Sequence, residues 1–129
     1  MQINELFERV DEELASDWSQ KLKIAWLNEI ERQVLDEVFG THIMPEKDAA
    51  KAAAYEGYTE ETPGTTELLV RDPHSALYVY YLEAQIARAN GDRSQQQDAT
   101  TLFDNMYVTY KRYINRTCMP KTQVRAFLI

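Results

Sequence analysis

The sequence predicts an all-α domain: a small four-helix bundle-like fold with a long central loop and an extended C-terminal tail. Three observations carry this reading. The 129 residues include only four glycines and four prolines, too few breakers for the many short strands of a sandwich. Apolar residues recur at helical spacing over four separate stretches, the pattern of helices packed on one face. Finally, Asn90-Gly91-Asp92 separates the last two stretches by a link that suits only an antiparallel helix pair. The length is that of one domain. We divide it into a helical unit, 1–120, and a tail, 121–129.

The first helix is expected over 3–14, with Ile3, Leu6, Phe7, Val10 and Leu14 on one face and acids between them. Asp17 or Ser19 can cap the second, because a side-chain oxygen there accepts an orphan backbone N–H. That helix is expected over 20–39. Leu27, Ile30, Val34, Leu35 and Val38 form its stripe, and Ile24, Trp26 and Phe39 widen it enough for more than one packing neighbour. Gly40 suits a left-handed stop.

Residues 41–66 break the pattern. Pro45, Gly57 and the Thr62-Pro63-Gly64-Thr65-Thr66 cluster interrupt any long period, while the alanines of 49–54 suit one or two helical turns. In Pro63-Gly64, proline presets φ and glycine takes the positive-φ position of a turn. Long loops in compact domains are commonly functional or disordered, so the segment is expected to be a mobile excursion that orders against a neighbouring subunit. Glu67-Leu68-Leu69-Val70 reads as a short extended piece.

Asp72-Pro73 reads as an N-cap followed by proline at the first helical position, opening a third helix over 73–90. Leu77, Tyr80, Tyr81, Ala84 and Ala87 mark one face, with Tyr78, Leu82 and Ile86 broadening it and Gly91 as the stop. The fourth helix, over 94–117 with a start near Asp92 or Ser94, carries Ala99, Leu102, Phe103, Met106, Tyr110, Tyr113 and Ile114, and Pro120 ends it. The core is expected to hold Leu27, Ile30, Val34, Leu77, Tyr81, Leu102, Phe103 and Met106.

Composition narrows the function classes. Apolar residues are 44% and charged residues 27%, ordinary for a soluble globular chain. Cys118 is the single cysteine, so neither an internal disulfide nor a thiolate zinc cage can form. No apolar run of about 18 residues exists to span a membrane. The opening Met1-Gln2-Ile3-Asn4-Glu5 lacks the basic and apolar regions of a signal peptide, and none is expected. The net charge of −7 is uneven: residues 1–72 hold 17 acids and 7 bases, residues 73–129 hold 4 acids and 7 bases. Such asymmetry can steer like copies into head-to-tail contact, although an acidic surface with a basic tail is an equally ordinary pattern.

No catalytic, cofactor-binding or metal-ligating set emerges, and the chain is read as not an enzyme. His42 has Glu46 four residues on, but Pro45 intervenes; His74 has no partner at ligand spacing. Asp72-Pro73-His74-Ser75 contains the residue types of a triad, but triads are assembled in space from separate elements. The carboxylate pairs at Asp11-Glu12-Glu13, Glu29/Glu31, Asp36/Glu37 and Glu60/Glu61 read as solvated polar faces. No glycine-rich phosphate cradle or nucleophile elbow occurs. Six tyrosines crowd the last two helices, more than one small core needs, and tyrosine suits wet interfaces. Tyr78, Tyr107, Arg116, Lys121, Arg125, Phe127 and Leu128 are therefore the candidate assembly contacts. The basic end could also touch DNA phosphates without sequence preference.

Several strings, in order, resemble the phage head–tail connector (portal adaptor, or neck) family of Firmicute phages and prophages. They are Glu67-Leu68-Leu69-Val70, Asp72-Pro73, Leu77 through Ile86, Asn90-Gly91-Asp92, Leu102-Phe103-Asp104, Tyr110, Tyr113 through Thr117, and Met119-Pro120. The N-terminal part is similar at Val10-Asp11-Glu12, Lys21 through Glu31 and Val38-Phe39. The chain departs from the family at Cys118, where histidine often follows Asn-Arg-Thr, and at Gln95–Thr101, where asparagines are usual. The resemblance implies an all-α structural subunit, assembled in the bacterial host cytoplasm and resident in the virion neck. It also implies a homo-oligomeric ring matching the portal's symmetry, between the portal protein and a tail-side neck protein. DNA would pass through the lumen, with no cofactor, no reaction and no membrane. The alternatives are a non-enzymatic helical regulatory or protein-interaction module of a bacterium, and a small helical enzyme or metal protein, which would need a buried polar pocket with convergent charges.

Overall fold

Local chemistry sets three of the helix boundaries, the start of the second helix, the end of the fourth and the start of the fifth. The computed structural model describes residues 1–14 and 18–121. It contains α1 (Ile3–Glu13), α2 (Gln20–Val34), α3 (Glu46–Ala54), α4 (Ala76–Asn90) and α5 (Arg93–Thr117). Among the described residues there is no strand, and the architecture is that of a small all-α domain. Ser19 caps α2 by accepting the Leu22 N–H, and Asp92 caps α5 by accepting the Gln95 N–H; Asp17 lies outside the described residues. Between α4 and α5, Gly91 sits in the left-handed region at φ +76°, and the Asp92 N–H bonds back to the Ala87 carbonyl. A residue with a Cβ would be strained there.

Two other boundaries differ from the sequence reading. Gly40 is not left-handed: its φ is −72°, because α2 runs on into a π-turn, Leu35–Phe39, closed by the Gly40 N–H on the Leu35 carbonyl at 2.7 Å. Asp72 does not cap a helix. The Asp72-Pro73 peptide is cis, residues 71–74 form a turn closed by the His74 N–H on Arg71, and α4 starts at Ala76. The Asp72 carboxylate instead accepts from the Ser75 hydroxyl.

One apolar core runs through the bundle. It joins Leu6 and Val10 of α1, Leu27, Ile30 and Val34 of α2, the 68–70 segment, Leu77, Leu82 and Ile86 of α4, and Phe103 of α5. Of the expected core residues, Leu102 is 47% exposed, and Tyr81 and Met106 are only partly buried. The buried stripe of α5 is Ala99, Phe103, Tyr107, Tyr110 and Ile114, one step around the helix from Leu102. Helix α5 packs chiefly on α4, so it buries only a narrow stripe, and its flanking apolar residues face outward.

Residues 41–66 hold more secondary structure than a loop. They contain α3, and they are tied to the bundle at both ends. The Pro63–Thr66 turn is closed by the Thr66 N–H on Pro63, but Gly64 does not have positive φ. The approach there is close: a Cβ would stand 3.2 Å from the Asn4 Cβ, tighter than ordinary contact, where the Asn4 N–H bonds to the Gly64 carbonyl at 2.9 Å. The extended piece at 67–70 pairs with the start of the chain through a Gln2–Glu67 bridge and buries Leu68, Leu69 and Val70.

Candidate functional site

Helix α2 carries two polar side chains one turn apart on the same face, Asn28 and Glu31. Asn28 grips the backbone of Tyr58 from both sides: its Oδ1 accepts the Tyr58 N–H at 2.8 Å and its Nδ2 donates to the Tyr58 carbonyl at 3.0 Å. The Tyr55 hydroxyl donates to the same Oδ1. Glu31 is fully buried, which corrects its reading as a solvated carboxylate. Its Oε2 accepts from the Tyr58 hydroxyl at 2.7 Å and the Leu69 N–H at 3.2 Å, and its Oε1 from the Tyr78 hydroxyl. Burial pushes the Glu31 carboxyl above its ordinary range, against the pull of Tyr78, Tyr58, the Leu69 N–H and the Lys51 charge. All three donors are protein groups, so this carboxyl pins three chain segments together and presents no face to a substrate.

Tyr78 therefore cannot be an assembly contact. Its ring is fully buried, its hydroxyl donates to Glu31, and the same oxygen accepts the Val70 N–H at 2.9 Å. Tyr107 is also withdrawn: it is 5% exposed, donates to Glu37 at 2.5 Å, and lies beneath Lys111. Arg116 and Lys121 are exposed as expected. Arg125, Phe127 and Leu128 lie outside the described residues.

The end of α5 meets the end of α2. The Lys121 N–H donates to the Thr41 carbonyl and the Ile43 N–H to the Met119 carbonyl, both at 2.9 Å, and His42 Nε2 lies 2.7 Å from Asn115 Oδ1. The domain boundary drawn at residue 120 thus falls within paired backbone. Beside this junction is a cavity of about 290 Å³ lined by Met44, Asp48, Arg71, His74, Tyr110 and Cys118. Its charges are spoken for: Arg71 Nε bonds Asp48 at 2.7 Å, and Asp48 is buried. His74 packs against Tyr110 and Tyr113, and burial, followed by the charge of Arg116, holds its imidazole below its ordinary value. His42 is turned to Asn115, and Asp72 and Ser75 bond to each other with His74 turned to the tyrosines.

At the opposite end of α2, a groove of about 400 Å³ runs between α1 and α2. Ile3, Phe7, Ile24 and Tyr58 supply apolar lining, and Glu8, Asp11 and Glu60 supply carboxylates. Asp11 is paired with Lys23 at 2.7 Å, while Glu8 and Glu60 are exposed. The acidic surface of α1 and the basic end of α5 thus stand at opposite ends of α2.

Sequence reasoning missed Glu31 because its neighbours Glu29 and Arg32 are solvent-exposed. A usable signal was present: Glu31 follows Ile30 within the wide apolar surface of α2, one turn after Asn28 and Leu27. Among the described residues no group of three or more His, Cys, Asp or Glu side chains is placed to hold a metal ion, and no helix is long and apolar enough to cross a membrane. Comparison with protein-family models, curated proteins and solved structures finds no match to this chain.

Proposed function

We propose that the chain is a structural subunit of a phage head–tail connector, forming a ring below the portal that joins the capsid to the tail and lets DNA pass. The observation that carries this reading is the ordered series of strings, from Val10-Asp11-Glu12 to Met119-Pro120, that resembles the connector family. Those strings coincide with framework: α2, the buried 68–70 segment, α4, the Gly91 turn and α5. The stretches left out of the resemblance are 41–66 and the tail. A likeness concentrated in core-building elements is what a shared fold requires, although a fold alone does not fix a function.

Two physical features fit a ring subunit. Asp11 of acidic α1 pairs with Lys23 near the start of α2, whereas the basic end of α5 meets Thr41 beyond the other end of α2, so identical copies can meet through unlike surfaces, the kind of contact that closes into rings. The long outer face of α5, with Leu102 and Val108 exposed, is open to a neighbour. In this reading the protein performs no reaction and needs no cofactor. Its partners are its own copies, the portal protein and a tail-side neck protein, with DNA in transit and assembly in the host cytoplasm. Purified protein mixed with the cognate portal should give ring-on-ring particles by electron microscopy. Portal particles that remain bare at saturating protein would overturn the reading.

A further inference from the structure

We propose that the acid-rimmed groove between α1 and α2 receives the C-terminal segment, residues 121–129, of a second copy of this chain. The inference rests on the ring reading above for the presence of a neighbouring copy, and it names the contact between copies.

The groove and the segment are complementary in two respects. Half-buried Phe7 and Tyr58 give the groove its apolar lining, with Ile3 and Ile24 buried beneath it, and exposed carboxylates stand at its rim at Glu8 and Glu60. The segment Lys121-Thr122-Gln123-Val124-Arg125-Ala126-Phe127-Leu128-Ile129 interleaves two cations with large apolar residues and holds no acidic side chain. Apolar anchors in a groove supply the affinity of such contacts, and charges at the rim set register and discourage wrong partners. The acid at the rim that is already neutralised, Asp11 by Lys23, leaves Glu8 and Glu60 for Lys121 and Arg125.

Reach decides between the same copy and another. Lys121 is anchored at Thr41, beyond the C-terminal end of α2, whereas the groove lies at the N-terminal end. Ile24 and Thr41 are seventeen positions apart in the sequence, an axial distance of roughly 25 Å at helical rise. Phe127, six residues beyond Lys121, can span at most about 21 Å even on a straight path. Phe127 thus falls short of Ile24 on its own molecule, while a second copy imposes no such limit.

The test uses the full chain with photoreactive benzoyl-phenylalanine at position 127, mixed with unmodified chain labelled with nitrogen-15 and illuminated at concentrations where the copies associate. Cross-links from position 127 should fall on labelled peptides containing Phe7 or Ile24. Arg125→Glu should lower their yield about tenfold, and Glu8→Lys with Glu60→Lys in the labelled copy should restore it. Cross-links confined to the same copy, at the cavity beside Cys118, would overturn the proposal, as would cross-links elsewhere on the second copy or none at all. The two readings fail separately. Portal rings that assemble without groove cross-links remove this inference alone; groove cross-links from a chain that never binds the portal remove the connector reading alone.

Discussion

Helices α4 and α5 are joined by only Gly91 and Asp92 and lie side by side, yet one is interior and the other is peripheral. Seven of the 15 residues of α4 are buried, against five of the 25 residues of α5. Helix α4 meets α1, α2 and α5, so it is apolar around most of its circumference. Helix α5 rests mainly on α4 and needs only a single stripe. The difference teaches that helical period reports burial on one face well, but that a helix at the centre of a bundle has no single face to report.

The largest test of the contrast compares two leucines. Leu82 on α4 is fully buried, and Leu82→Ala should cost about 2–5 kcal/mol through lost transfer energy and the cavity left behind. Leu102→Ala on α5, at 47% exposure, should change stability by no more than about 0.5 kcal/mol. Urea unfolding of both variants checks this, and equal losses would mean that α5 is packed as deeply as α4.

A smaller effect is expected where α4 reaches the buried carboxyl. Tyr78→Phe removes one donor from Glu31 and the acceptor of the Val70 N–H, leaving buried polar groups unpaired. The cost should be about 1–3 kcal/mol. Amide exchange at Val70 and Leu69 should quicken in the same variant; unchanged exchange would mean that Glu31 does not hold the 68–70 segment through Tyr78.

The smallest effect sharpens the view of α4's flank against α1. Burial, followed by a hydrogen bond that the protonated Glu83 donates to Glu13 and by the charge of Glu13, raises the Glu83 carboxyl from 4.5 to about 8, whereas that shared hydrogen bond lowers Glu13. The protonated form of Glu83 is the one the fold favours. Its contribution is whole below about pH 4.5 and is lost as pH rises through about 8. Glu13 acts in the opposite sense, at pH values below its ordinary range. The melting temperature should therefore fall modestly as pH rises across that window, because the site is partly solvated and screened. Glu83→Gln, which stays neutral, should flatten the slope; an identical slope in the variant would exclude the pair as its source.

Much of this molecule is written locally. Ser19 and Asp92 cap helices because a short side-chain oxygen reaches an N–H three residues on, and Gly91 turns the chain because it alone tolerates positive φ at low cost. The stripes Leu27, Ile30, Val34 and Leu6, Val10 needed only the helical period. The all-α class and the α4–α5 hairpin follow from such short-range rules, and they were legible in the sequence. The candidate assembly residues were legible only as residue types: tyrosine reads alike whether its hydroxyl ends in water, as an interface would have it, or on a buried carboxyl, as in Tyr78.

What only the tertiary structure decided are the matters that depend on which helices become neighbours. Glu31 is buried because Tyr58, Leu69 and Tyr78, separated from it by 27 to 47 positions, converge on its two oxygens. No local pattern encodes that convergence. Leu102 faces outward because α5 has chiefly one neighbour, and Gly64 is a tight spot because Asn4 of α1 passes close to it. Residues 41–66 fold against the bundle for the same reason: Asn28 and Glu31 on a distant helix satisfy the backbone and hydroxyl groups of Tyr58 that would otherwise need water. Propensity and period act over one or two turns, whereas satisfaction of buried polar groups is settled only when the whole chain has closed on itself.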